Sequence, residues 1–228
     1  MDIVLFGATG MVGSRIAAEA AARGHRVTAV SRSGELPATT GAAPGDGDGD
    51  RDAGQIIPVV GDARDRERVA ELVKGADVVA AALVPPRDGS DPRTPFVSLY
   101  EDFLAGVEAG GSPRTVIVGG AGSLRVAPGV RLVDSPGFPP PYQPEALAHA
   151  DVLDSLRANA ASLPMWTYIS PAPQVGPGER TGSYRLGVGD DLLPGAASIS
   201  AEDYATAFVD ELESGAHPRQ RLSVAQTA

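Results

Sequence analysis

The sequence contains no cysteine, which removes disulfides, thiol nucleophiles and thiolate metal sites together. It also lacks any run of about 18 uncharged apolar residues, so nothing in it reads as a membrane-spanning helix. Positive charge is scarce: 19 Lys and Arg against 29 Asp and Glu leave a formal charge of −10. Such a surface repels phosphate backbones and argues against a general nucleic-acid binder. Asp2 stands where a secretion signal wants a cation, and the first apolar run breaks at once into glycines. A cytoplasmic protein with a small polar partner is therefore the expectation.

What is present is a repeating alternation. Asp2 to Phe6 reads as a short buried strand, Ser14 to Arg23 as a helix ended by Gly24, and His25 to Ser31 as a second strand, a βαβ unit of the length used for dinucleotide crossovers. Ile56 to Val60 then precedes a helix near Asp62, and Asp77 to Leu83 precedes one near Thr94. Arg114 to Gly120 and Met165 to Ser170 read as later strands. Near-continuous apolar strands alternating with helices imply an α/β fold: one Rossmann-like domain over 1–228, its doubly wound, mostly parallel sheet covered on both faces.

Residues 34–55 interrupt the alternation with glycine, proline and aspartate and read as a flexible insertion. Asp46, Asp48, Asp50 and Asp52 alternate within it as in a calcium loop. Counting from Asp46, however, Arg51 and Ile57 occupy the positions where that loop needs glycine and glutamate, so the segment reads as solvated chain.

The first strand runs into LFGATGMVGSRI, with Gly7, Gly10 and Gly13 at intervals of three. A strand turning sharply into a helix needs residues without a Cβ, and a pyrophosphate reaches backbone N–H groups only where no side chain blocks it. Gly7 is expected to make the turn, Gly10 to admit the phosphates and Gly13 to let the helix pack on the strand. Gly7, Ala8, Thr9, Gly10, Met11, Val12 and Gly13 together form the expected phosphate cradle.

At the end of the second strand, where an acid would bond ribose hydroxyls and repel a 2′-phosphate, stand Ser31, Arg32 and Ser33. A guanidinium flanked by hydroxyls suits a phosphate, so NADP(H) is the expected cofactor, with NAD(H) as the alternative. Asp62, after the third strand, is placed to cap the next helix, with Asp65 adding charge at its start. Small residues close the fourth and fifth strands, Ala80, Ala81, Ala82 and Leu83 in one and Gly119 and Gly120 in the other, so the cofactor is expected to lie against them.

These motifs, with GDARD, VVGGAGS, PEALAHAD, WTYISPA and ISAEDYA further along, resemble the atypical and extended short-chain dehydrogenase/reductases. That group includes the NmrA-like proteins, and the segments are most similar to a bacterial NADH-flavin reductase subgroup related to biliverdin reductase B. The resemblance implies a contact of Asp62 with adenine, compatible with its capping role, and a serine after the fifth strand at the acceptor, here Ser123. The better-known members use a tyrosine with a lysine four residues later. The one lysine here, Lys74, has Ala70 at that spacing and Gly75 after it. Without that pair, alcohol oxidation loses its base, whereas flavins and quinones accept hydride readily and take a proton from water.

Ser123 and His149, the latter on the helix of PEALAHAD near where the missing pair would lie, are the candidate catalytic groups; helical periodicity allows His149 a solvent-facing position as well. Tyr142 reads as a loop anchor, and Trp166 and Tyr168 as core. The acceptor is expected among residues 123–145 and 170–195, including Arg180, Tyr184 and Arg185. The expected activity is NADPH-dependent hydride transfer to a conjugated small molecule. The alternatives are a non-catalytic cofactor sensor of the NmrA kind and a reductase of a carbonyl or imine.

Overall fold

The computed structural model describes residues 1–35 and 54–227. Along the first strand the side chains divide with the two-residue period of a pleated ribbon: Ile3 and Leu5 enter one apolar cluster, Val4 and Phe6 the other. A strand buried on both faces needs this continuous apolar run, and it places the strand at the centre of a layered α/β fold.

The elements in order are β1 (Asp2–Phe6), α1 (Met11–Ala22), β2 (Arg26–Ser31), β3 (Gln55–Val60), α2 (Arg66–Val73), β4 (Val78–Ala81), α3 (Arg93–Ala109) and β5 (Arg114–Val118). Then come a hairpin of β6 (Arg125–Ala127) and β7 (Val130–Arg131), α4 (Gln143–Ala158), β8 (Trp166–Ser170), β9 (Gln174–Gly176), β10 (Tyr184–Val188), β11 (Ser198–Ser200), α5 (Ala201–Ser214) and β12 (Gln220–Gln226). The main sheet has the order β3-β2-β1-β4-β5-β8-β12-β10, with every neighbouring pair parallel except the edge pair β12–β10. This is the doubly wound, mostly parallel arrangement expected from the sequence, with its strand order reversing between β1 and β4.

One face is covered by α1 and α5, where Ile16, Tyr204 and Phe208 pack on Leu5, Val116 and Leu222. The other is covered by α2, α3 and α4, where Phe96, Phe103 and Leu153 meet Phe6, Trp166 and Tyr168. Trp166 and Tyr168 are core, as read. Pro58 lies in β3, an edge strand, where a missing N–H costs no ladder bond on the open side. No described helix is long and apolar enough to cross a membrane, and no three described His, Asp or Glu side chains gather as metal ligands.

Boundaries moved in instructive ways. α1 begins at Met11 rather than Ser14, because Gly10 already has the extended backbone of an N-cap, φ −72° and ψ 165°. It ends as expected at Gly24, whose φ of +84° is left-handed. α2 is capped by Asp65, whose carboxylate accepts from the Arg68 amide at 3.0 Å, and not by Asp62. The insertion ends earlier than read, since Gln55 already pairs with Arg26 in the sheet. Residues 36–53, with the alternating aspartates, lie outside the described residues.

A candidate nucleotide-binding cleft

At the carboxyl end of β1 the chain doubles back: the Gly7 amide donates to the Val30 carbonyl at 3.1 Å and the Gly10 amide to the Gly7 carbonyl at 3.2 Å. Gly7 has φ +82°, and a Cβ there would sit 2.2 Å from the Ala82 carbonyl oxygen; one on Gly13 would sit 2.1 Å from that of Gly7. These two glycines are demanded by the packing of strand, turn and helix on one another. Gly10 differs, because a Cβ on it would meet nothing nearer than the Gly7 oxygen at 3.5 Å. Among the described residues nothing fills the space above Gly10, and it adjoins the first turn of α1, which has no side-chain cap and no acid. Free N–H groups at a helix start beside an open glycine suit a pyrophosphate, so the residues present fit a dinucleotide.

The turn after β2 is built from hydroxyls. Ser31 Oγ accepts from the Gly34 amide at 2.9 Å and donates to the Glu35 carbonyl at 3.3 Å, while Ser33 Oγ accepts from the Glu35 amide at 3.3 Å. Ser31 is buried, so its hydroxyl shapes the turn and is not a free phosphate ligand. Arg32 is exposed and forms no ion pair among the described residues. The same turn brings in Glu35, an acid the sequence reading did not weigh. Asp62 Oδ1 accepts from the Arg64 amide at 2.9 Å, closing a local turn beside the cleft.

Ala80 and Ala81 are wholly buried in the sheet and offer no surface to a ligand; Ala82 is nearly so. Of the expected run only Leu83 is partly exposed, and Val84 after it, 57 % exposed and outside the expected run, is the other residue there with surface to offer a ligand. After β5, a Cβ on Gly119 would strike the Tyr168 ring at 2.2 Å, and one on Gly120 would strike His149 Cβ at 2.9 Å. Both are small in order to seat the turn on β8 and α4. The Gly120 amide donates to the Tyr168 hydroxyl at 3.1 Å, which donates onward to the His149 carbonyl at 2.9 Å.

His149 and Ser123 are therefore neighbours of one turn, and both carry buried atoms without partners, Nδ1 and Oγ. His149 is 7 % exposed and meets Phe96 edge-on at 4.9 Å, so the solvent-facing alternative is excluded. Burial pulls its pKa down to about 4, against a smaller upward pull from Glu145 and a downward one from Arg87. Its imidazole is neutral near pH 7. Glu145, one turn earlier on α4, holds Arg87 from the loop after β4 through two bonds of 3.0 and 2.9 Å.

Of the groups expected around the acceptor, three have other engagements. Arg180 pairs with the buried Glu19 of α1 at 2.7 and 2.8 Å, Tyr184 donates to Asp210, and Arg185 donates to the carbonyls of Gln226 and Pro194. Arg180 and Tyr184 fasten residues 170–195 to α1 and α5, and Arg185 ties the same segment to the end of β12 and to itself. Tyr142 is 67 % exposed and bonds through its backbone only, so the anchoring expected of it is not seen.

Residues 7–215 match the NAD(P)H-binding family. Among relatives, the protein YwnB of Bacillus subtilis is 33 % identical over 235 residues, with all of both chains covered. A Burkholderia pseudomallei protein of solved structure, named as a candidate exported protein, is 42 % identical with a TM-score of 0.78 and 99 % of each chain covered. A Streptococcus pneumoniae protein named as a candidate NADH-flavin reductase is 33 % identical with a TM-score of 0.73 and full coverage of both chains. With the open Gly10, the uncapped helix and the matched span in agreement, this chain belongs to the NAD(P)H-binding family.

Proposed function

We propose that the protein is an NADPH-dependent oxidoreductase that passes hydride to a flavin, quinone or similarly conjugated small molecule. The observation that carries this reading is the buried, uncharged His149 at the acceptor end of a cleft that has no tyrosine–lysine pair. A neutral imidazole with a pKa near 4 is a poor proton donor at pH 7, so substrates that need a strong protein acid are disfavoured. Conjugated acceptors take hydride at an electrophilic ring atom, and water supplies the proton afterwards.

A reduced nicotinamide, when bound, supplies the hydride. The protein's own work is positional. Gly10 and the start of α1 would receive the phosphates, Arg32 would favour a 2′-phosphate, and the turn from Gly120 to Ser123 would bound the acceptor end and orient the reacting groups. The name of the Streptococcus pneumoniae relative supports the acceptor class.

The test is NADPH oxidation by the purified protein against FMN, riboflavin, simple quinones and a set of carbonyl compounds. Turnover with the conjugated acceptors is expected. Turnover confined to carbonyls overturns the acceptor assignment, and tight NADPH binding with no turnover at all replaces the enzyme reading with that of a cofactor sensor.

A further inference from the structure

Arg221 in β12 stands opposite Tyr168 of β8, on the face of the sheet that packs against α4. The apolar pattern of that face would place a hydrophobic residue there, yet the position holds a guanidinium only 1 % exposed. Its donors are all used on one small region. Nε and Nη2 donate to Ser170 Oγ at 3.1 and 3.0 Å, Nη1 donates to the Ser123 carbonyl at 3.0 Å, and Nη2 reaches the Gly120 carbonyl at 3.4 Å. Ser170 Oγ itself donates to the Gly120 carbonyl at 2.9 Å. The counter-charge is Asp190, which lies 3.5 Å away and is held from its other side by Arg157 of α4.

Burying a guanidinium against a partly exposed carboxylate is a poor device for stability, since desolvating the buried charge offsets most of the attraction. It is a good device for geometry, because a planar fork with fixed donors accepts few arrangements of its acceptors. Here the acceptors are the two ends of the Gly120–Ser123 turn and the hydroxyl beneath it. We infer that Arg221 is a positioning residue for the acceptor end of the cleft, fixing the turn that carries Ser123 and abuts His149 at the distance from the cofactor that hydride transfer needs. This rests on the cleft reading given above, because only a ligand against that turn makes its placement matter.

The test uses Arg221→Lys, which keeps the charge but loses the fork, and Arg221→Met, which loses both. Amide hydrogen exchange across residues 119–124 of the free protein is measured first, with no cofactor present. Faster exchange in both variants, with the rest of the sheet protected, is expected, and unchanged exchange overturns the inference. NADPH and 2′-phospho-ADP-ribose, which lacks the nicotinamide, are then compared as ligands by calorimetry. The fragment should bind the variants as it binds the parent, while turnover with FMN falls about 10- to 100-fold as the reacting groups lose register. Loss of fragment binding in step with thermal stability would mean a merely structural role. Should Arg221→Met not fold, Ser170→Ala, which removes the hydroxyl shared by Arg221 and Gly120, must show the same exchange pattern to a lesser degree. If the parent protein binds NADPH not at all, the cleft reading fails, while the exchange result still decides the role of Arg221 in the turn.

Discussion

The Gly7 carbonyl oxygen lies where a Cβ on Gly13 would fall, 2.1 Å away, but a full van der Waals distance, 3.5 Å, from where a Cβ on Gly10 would be. Two glycines of one motif thus answer to different demands, and substitution separates them. Gly13→Ala should destabilise the fold by roughly 3 kcal/mol, because the added methyl meets backbone that cannot yield. Gly10→Val should leave a folded protein that no longer binds NADPH. Circular dichroism, thermal melting and cofactor fluorescence read both outcomes; normal NADPH affinity in the Gly10 variant would move the phosphate site elsewhere.

Arg32→Ala should weaken NADPH by about 1.5 to 3 kcal/mol, the worth of a charge-assisted contact to phosphate, and leave NADH nearly unchanged. Glu35→Gln should act in the opposite direction by a smaller amount, since its charge opposes a 2′-phosphate at the same turn. Calorimetric titration of both cofactors settles the matter, and equal NADPH and NADH affinities in the parent protein would remove the basis for the preference.

Ser123→Ala and His149→Asn should each lower turnover with a flavin by less than about tenfold, because neither is required to surrender a proton. A committed general acid would cost about 10² to 10⁴ on removal. A loss of that size with cofactor affinity intact would identify a proton donor and favour a carbonyl or imine acceptor.

The buried His149 also predicts a pH dependence of stability. Its folded pKa, about 4, lies below the ordinary 6.5, so below pH 6.5 the unfolded chain binds a proton there that the folded chain refuses. Stability is unaffected above that value and falls as the pH drops from 6.5 towards 4, by about 3 kcal/mol in all. His149→Asn should therefore show a flatter acid limb than the parent in urea unfolding followed down to about pH 4. Parallel limbs would mean that the ring is solvated after all.

Much of this was legible because the signals are local. The turn at Gly7 to Gly13 is a matter of residues without Cβ, and the central strands announce themselves as unbroken apolar runs. What escaped was set by distance in sequence. Nothing near Arg221 hints that its donors reach Gly120 and Ser123, about a hundred positions earlier, and nothing in the run containing Arg180 and Tyr184 reveals Glu19 and Asp210 as partners. β12 went unread because QRLSVAQ places Arg221 and Ser223 where a strand covered on both faces would carry apolar residues, so it lacks the continuous apolar run of the central strands although it is buried on both sides. Asp65 displaced Asp62 as a helix cap for a smaller reason: both fit the pattern, and only the backbone decided between them.

The position of β12 between β8 and β10 has a kinetic consequence. A strand from residues 220–226 must insert between partners at 167–170 and 184–188 before either gains its neighbour, and such non-local closure is slow compared with forming a βα unit. The phosphate cradle, complete within β1, α1 and β2, can assemble early; the turn gripped by Arg221 waits for the last pairing in the sheet. In refolding, recovery of binding to a phosphate-bearing fragment should therefore precede recovery of turnover, with the interval set by the insertion of that one strand.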